Sequence, residues 1–211
     1  MTSGKFITFE GGEGCGKSTQ AERLKAALES TGREVVLTRE PGGTWISEEV
    51  RRLLKDPDSE APSDRCELLL FLAARAQLVE KVIKPALARG AWVISDRFSD
   101  STIAYQGFGR GLPIDVIRIV DSFACGGVKP DLTILLCADR SAAASRMRSR
   151  ESETNTSPDR IELAGDGFHE RIREGYLKLA SEEPGRIVPV DANGTVDEVW
   201  ERVWKSIRRI G

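Results

Sequence analysis

Residues 9–20, FEGGEGCGKSTQ, constrain this chain more than any other stretch. The apolar run KFITF leads into them and an amphipathic run starting at Lys17 leaves them. The glycines at 11, 12, 14 and 16 let successive backbone N–H groups turn toward one point. A helix beginning at that point adds the partial positive charge of its N-terminus. The frame Gly11-x4-Gly16-Lys17-Ser18 therefore reads as a phosphate-binding loop between a strand and a helix. Its candidate nucleotide-binding residues are Gly11, Gly12, Glu13, Gly14, Cys15, Gly16, Lys17, Ser18 and Thr19. In that reading Lys17 reaches the β- and γ-phosphates of a bound triphosphate, and Ser18 offers an oxygen to Mg²⁺. Glu13 is out of character, because it puts a carboxylate where phosphates must be attracted.

The rest of the pattern is α/β. Short apolar runs at 5–10, 34–39, 91–95, 131–138 and 186–190 predict five strands. Between them, helices are predicted over 17–30, 44–55, 64–88, 99–106, 113–123 and 139–150. Asp64 with Glu67 resembles a capping box at the start of the longest of these, and Pro85 is expected to kink or end its last turn. A terminal helix carries Val196, Val199, Trp200, Val203, Trp204 and Ile207 at helical spacing, with the tryptophans read as core. The polar stretch 149–159 is expected to be a mobile loop inside one domain spanning 1–211.

Bulk properties remove several function classes. A formal charge of −2 gives no global field for nucleic acid or anionic membrane. The longest apolar runs are too short to span a bilayer, and the first residues lack the apolar core of a signal peptide. Four scattered cysteines with no C-x-x-C pair predict reduced thiols in a cytoplasmic protein, with no metal or redox site. Cys15 is read as a small residue tolerated in the loop. The sole histidine, His169, is read as a surface residue.

What the bound triphosphate is used for must come from other residues. No N-K-x-D guanine element is present. The third strand ends VISDRF, placing Asp96 beside the phosphate loop with Arg97 next to it. Asp96 suits the magnesium shell. Arg97 stands where a hydrolase would keep a water-orienting acid, and it suits a second, phosphorylated molecule. Phe71 and Arg75, four apart, share a helix face and make a plausible base-recognition pair. Phe71 also fits a core stripe with Leu68, Leu72 and Leu78, and helical spacing alone favours the core. Arg146, Arg148, Arg150 and Arg160 read either as a solvated basic face or as a lid that brings positive charge on closing.

Together, FEGGEGCGKST, TREPGGT, FLAARAQLVEKVIKPAL, VISDRF, STIAYQGFGRG and PDLTILL, in that order, resemble the thymidylate kinase family, in its bacterial subtype with lid arginines. The resemblance covers the chain from Lys5 to about Ala180. It implies a P-loop nucleoside-monophosphate-kinase-like fold, a three-layer sandwich with a five-stranded parallel sheet flanked by helices, and a lid at about 146–160. The activity it implies is transfer of the γ-phosphoryl of ATP to dTMP, giving dTDP and ADP with Mg²⁺, in a cytoplasmic homodimer. By the same resemblance Phe71 lies under thymine, Arg75 donates to its carbonyl, and Ser101 and Thr102 meet its other polar edge. Tyr105 crowds the 2′ carbon of the sugar, Arg51 and Arg97 hold the acceptor phosphate, and Glu13 binds the 3′-hydroxyl. Ser18 and Asp96 are the magnesium-side residues. Lys17, Arg97, Arg148, Arg150 and Arg160 are the candidate catalytic residues. Two features depart from the family pattern: the length of ESETNTSPD and Trp45 after PGGT. A kinase with another acceptor, such as dUMP, and an ATPase or regulatory module using ATP as a ligand are the alternatives.

Overall fold

Strand β1 (Phe6–Glu10) is buried along its whole length. Phe6, Ile7, Thr8 and Phe9 do not divide into a wet and a dry set, as expected for a strand covered on both faces. It sits at the centre of a parallel sheet in the computed structural model, which describes residues 4–56, 60–154, 160–161 and 163–208, with the backbone alone at 150, 151, 153 and 154. The other strands are β2 (Val35–Arg39), β3 (Trp92–Asp96), β4 (Leu132–Cys137) and β5 (Ile187–Asp191). Their order is β2-β3-β1-β4-β5, all parallel, with Phe9 opposite Asp96 on one side and Ile134 on the other. The expected five-stranded parallel sheet is thus present. Pro189 lies in β5, an edge strand of this sheet, where a missing N–H disrupts no ladder. Beyond β1 the connections diverge to opposite sides, the place where open parallel sheets bind ligands.

The helices are α1 (Lys17–Glu29), α2 (Trp45–Lys55), α3 (Asp64–Leu78), α4 (Lys84–Ala88), α5 (Ser99–Thr102), α6 (Ile114–Cys125), α7 (Arg140–Thr154), α8 (Asp166–Glu182) and α9 (Val196–Ile207). Leu24 and Leu28 of α1 and Val199, Val203 and Ile207 of α9 bury against Ile7, Phe9, Ile94 and Ile134. Leu78 of α3 and Ala86 of α4 bury against Phe6 and Val93 on the opposite face. Leu68 of α3 and Ile172 of α8 join Leu135 and Ile187 in a second cluster. Three layers result. Trp200 and Trp204, read as core, stack at 5.4 Å at its margin, partly buried against the first cluster.

Several local expectations are corrected. Glu67 does not close a capping box with Asp64: Ser63 holds the N-cap position, and Glu67 turns inward to accept from Gln106 and Arg110. Pro85 does not end its helix. A π-helical turn (Val79–Ile83) precedes α4, absorbing the donor that proline lacks. A second π segment (Ile103–Gly109) continues α5 and carries Tyr105. The stretch expected to be loop from 149 is helical as far as Thr154, in keeping with its arginine and glutamates; 155–159, like 57–59, lie outside the described residues. Helix α8 was not anticipated. No described helix is long and apolar enough to cross a membrane.

Helix α8 packs along the second π segment, and Gly175 is the point of closest approach. A Cβ there would lie 2.6 Å from Phe108 Cδ2 and 2.9 Å from its Cβ, atoms near the fixed end of that side chain. Gly175→Ala would gain about 1 kcal/mol in helix propensity, but overpacking costs roughly 1–3 kcal/mol. The expected outcome is a net loss of up to about 2 kcal/mol in urea denaturation, and a more stable variant would refute the packing account.

Candidate active site

The phosphate-binding loop opens a cleft of about 610 Å³ reached by residues of α2, α3, the second π segment, α7 and α9. Gly16, the N-cap of α1, has φ 87°, a left-handed conformation that a side chain would strain. Gly14 needs its bare Cα for another reason: a Cβ would lie 2.3 Å from the Ala143 carbonyl oxygen of α7. Lys17 is buried, and its Nζ donates to the Gly12 carbonyl at 2.7 Å. Ser18 Oγ, at the start of α1, donates to Asp96 Oδ2, at the end of β3, at 2.5 Å. Among the described residues no cluster of three His, Cys, Asp or Glu is placed to cage a metal. A hydroxyl and a carboxylate side by side do fit Mg²⁺, which takes few protein oxygens and completes its shell from phosphates and water.

Arg97 is the hub of one end of the cleft. It is the one non-glycine with positive φ (74°) among the described residues, and its backbone N–H donates to the Phe9 carbonyl. Its Nη2 donates to Glu13 Oε1 at 2.5 Å and Tyr105 Oη at 2.8 Å. Its Nη1 reaches the Gly11 carbonyl at 3.0 Å and the hydroxyls of Ser101 and Tyr176, each at 3.2 Å. Behind this lies Glu10, wholly buried, accepting from Phe98 N, Ser101 Oγ and Tyr176 Oη at 2.8, 2.6 and 2.8 Å. Burial, reinforced by the nearby charge of Asp100, pushes the Glu10 carboxyl up to about 7. Glu13 goes the other way. Burial alone would raise it, but Arg97, Lys17 and Lys55 together hold it well below the usual carboxylate range. Burial also pushes the phenols of Tyr105 and Tyr176 up, so both are neutral O–H groups.

Arg75 forms a second hub. It is 1% exposed. Nε and Nη2 donate to Glu40 Oε2 at 2.8 and 2.5 Å, and Nη1 donates to Thr102 Oγ1 at 2.7 Å and Asp121 Oδ1 at 2.5 Å. Four of its five N–H donors are therefore engaged inside the protein, leaving one, and Arg75 lines the cleft. Phe71 packs against core clusters, as its helical spacing favours, and also lines the cleft. Ser101 and Thr102 line the cleft as well, with hydroxyls already serving Arg97 and Arg75.

The remaining expected residues divide. Arg51 lines the cleft and donates to the Pro41 carbonyl at 3.0 Å. Arg148 is exposed and Arg160 is partly buried, its guanidinium on the Asp56 carbonyl, while the side chain of Arg150 lies outside the described residues. Arg146 faces the cleft and bonds the Ala192 and Gly194 carbonyls. Because α7 is helical here, positions 146 and 148 cannot share a face. Cys15 is buried in the core, and His169 is partly buried against Phe168.

Glu10, Tyr176, Glu40, Asp121 and Lys55 were not found by sequence reasoning. Glu10 had a signal, a carboxylate ending a strand otherwise of Phe, Ile and Thr. Tyr176 had one too: Phe168, Ile172, Tyr176 and Leu179 repeat at helical spacing. Glu40 and Asp121 had none, since only the fold brings them to Arg75.

A parallel sheet with a phosphate-binding loop at its switch point, one arginine bonded to that loop and a second, buried arginine lining the same cleft define a P-loop kinase-like protein. Comparison with known proteins narrows the class. A family model for thymidylate kinase matches residues 9–203. Thymidylate kinase from Trichlorobacter lovleyi is 50% identical over 188 residues, covering 89% of each chain. That from Solidesulfovibrio magneticus is 45% identical over 207 residues, covering 97% of this chain and 99% of its own. The crystal structure of thymidylate kinase from Ehrlichia chaffeensis superposes with a TM-score of 0.79 at 34% identity, covering 98% of this chain and 99% of that one. The chain belongs to the thymidylate kinase family.

Glu10 gives a pH signature. Its folded value of about 7 stands above the ordinary 4.5, so the folded state keeps this proton to higher pH than the unfolded chain. The stability it contributes is complete below about pH 4.5 and is lost as pH rises through about 7. Glu10→Gln removes the titration. Between pH 5 and 8, wild type should lose on the order of 1–3 kcal/mol relative to Glu10→Gln in urea unfolding. A constant difference across that range would show Glu10 to be ionised throughout.

Proposed function

We propose that the chain phosphorylates dTMP, moving the γ-phosphoryl of ATP to the acceptor phosphate and releasing dTDP and ADP. The observation that carries this reading is the pair of fixed guanidiniums opposite the phosphate loop: Arg97 beside Glu13, and Arg75 with one donor left beside Phe71. A plain ATPase has no use for either. In the proposed complex thymine lies on Phe71 with a carbonyl on the spare N–H of Arg75, and Tyr105 bounds the sugar. Glu13 accepts from the 3′-hydroxyl, and Arg51 and Arg97 hold the acceptor phosphate. The adenine end falls near Val196 and Val199, which line the cleft beyond the phosphate loop.

The chemistry asks little of a general base, because the attacking phosphate oxygen is already ionised near neutral pH. Catalysis is then alignment and charge. Lys17 draws on the terminal phosphates of the donor, and Arg97 fixes the acceptor in line. Mg²⁺, held by Ser18 and Asp96, would neutralise charge on the donor phosphates. Arginines from 146–160 bring further charge as a lid and exclude water.

The proposal is tested by ADP release from ATP and Mg²⁺ with dTMP, dUMP, ribothymidine monophosphate or thymidine as acceptor. Strong stimulation by dTMP, less by dUMP and little by the others is expected, and acceptor-independent turnover would favour an ATPase. In the same assay one of Arg148→Ala, Arg150→Ala and Arg160→Ala should lose roughly 10³-fold in kcat. Losses under about tenfold in all three would remove the lid arginines from the mechanism.

We further propose that the chain is a homodimer. Val116, Ile119 and Phe123 form an exposed stripe on α6, with Phe123 89% exposed, and Leu69 is exposed on α3, which packs beside α6. Such a patch invites a second copy. Sedimentation should give the mass of two chains for wild type and one for Phe123→Glu; a monomeric wild type refutes it.

A further inference from the structure

The acceptor end of the cleft is short of positive charge. Glu13 and Arg97 cancel each other across 2.5 Å, and the other terminal nitrogen of Arg97 is committed to Gly11, Ser101 and Tyr176. Lys17 is drawn onto the carbonyl of Gly12 within the phosphate loop. Arg51, the other cation that the proposed function assigns to the acceptor phosphate, brings a single charge and also serves the Pro41 carbonyl. A phosphate monoester carries about −1.5 to −2 near neutral pH. With Arg97 offset by Glu13, the balance calls for one further charge.

Helix α2 supplies it. Lys55 stands four residues after Arg51, so the two share a helix face, and both line the cleft. A lysine in the last turn has an ordinary explanation, attraction to the negative end of the helix, but that is met equally well from the solvent side. Arg52 does so: it is exposed and paired with Glu49. Lys55 instead turns inward and is partly buried. Its charge is felt by Glu13, which belongs to the phosphate loop across the cleft. Just beyond it, the Asp56 carbonyl accepts from Arg160, so the lid region meets α2 at this same corner.

We infer that Lys55 is a third acceptor-phosphate ligand beside Arg51 and Arg97, carried on the face of α2 that bears Arg51 and balancing the carboxylate of Glu13. The inference rests on the proposed function, which places the acceptor phosphate at this end. A lysine is well suited to this position. Its ammonium is a compact charge on a flexible stem with three donors, able to stay with a phosphate that gains a group during reaction. Arg97 can then stay within its network while the phosphate is held.

The test separates phosphate recognition from nucleoside recognition. Lys55→Met keeps the length and removes the charge, and Lys55→Arg restores it. Binding of dTMP is measured by calorimetry, and thymidine, which lacks the phosphate, as a competitive inhibitor. Lys55→Met should weaken dTMP roughly tenfold, the scale of one charge-assisted hydrogen bond. Thymidine inhibition and the KM for ATP should be unchanged, with Lys55→Arg close to wild type. Equal weakening of dTMP and thymidine would make Lys55 structural and overturn the inference, as would unchanged dTMP binding. Wild-type protein that fails to phosphorylate dTMP would overturn the proposed function first, and this inference with it.

Discussion

The ion pair between Arg97 and Glu13 is the interaction on which the rest of this site depends. It spans the two elements that must be in register, the phosphate loop and the end of β3, and it is held by backbone as much as by side chains. A non-glycine at φ 74° costs about 1–3 kcal/mol. The fold offsets that cost locally: the Arg97 N–H bonds the Phe9 carbonyl, and its own carbonyl accepts from Ser95 Oγ at 2.7 Å. The unusual backbone turns the side chain back over the loop, where an extended residue would point it along the sheet. The carboxylate of Glu13, which looked misplaced beside phosphates, is the counter-charge that fixes this guanidinium before any ligand arrives.

Arg75 solves a similar problem by different means. Two carboxylates, Glu40 and Asp121, enclose it from separate elements, and Thr102 takes a further donor. Ser101 and Thr102 are consecutive, so one turn of chain joins the two arginine hubs. Buried ion pairs of this kind add little net stability, because desolvation consumes most of their attraction. What they add is a single orientation, with donors counted so that one is left over. Asp121 lies on α6, whose outward side carries the exposed apolar stripe. The carboxylate that orients Arg75 and the proposed dimer face are thus two sides of one helix.

How much of this was legible in the sequence follows from what each feature depends on. The phosphate loop, five strands and most helices were readable because glycine spacing and hydrophobic periodicity are local. Phe71 with Arg75 was readable as a helix-face pair. The π turns were not, since a widened turn leaves no mark on composition, and the cue from Pro85 pointed to a break where the helix continues. Glu67 was misread as a cap because its true partners, Gln106 and Arg110, are some 40 residues away. Helix α8 and Tyr176 were missed although their periodicity was plain. Glu40 and Asp121 depend wholly on tertiary placement, so no local pattern could have revealed them.

The bare Cα of Gly14 has a mechanical meaning. By allowing Ala143 to rest against the phosphate loop, it puts a fulcrum in the first turn of α7, the helix that leads to the proposed lid. Position 150 stands roughly 10 Å along the helix from that point, so a tilt of about 20° would carry it about 3–4 Å. The loop that cradles the nucleotide is also the bearing on which this lever rests. Widening residue 14 by one methyl group would shift the lever as well as the cradle.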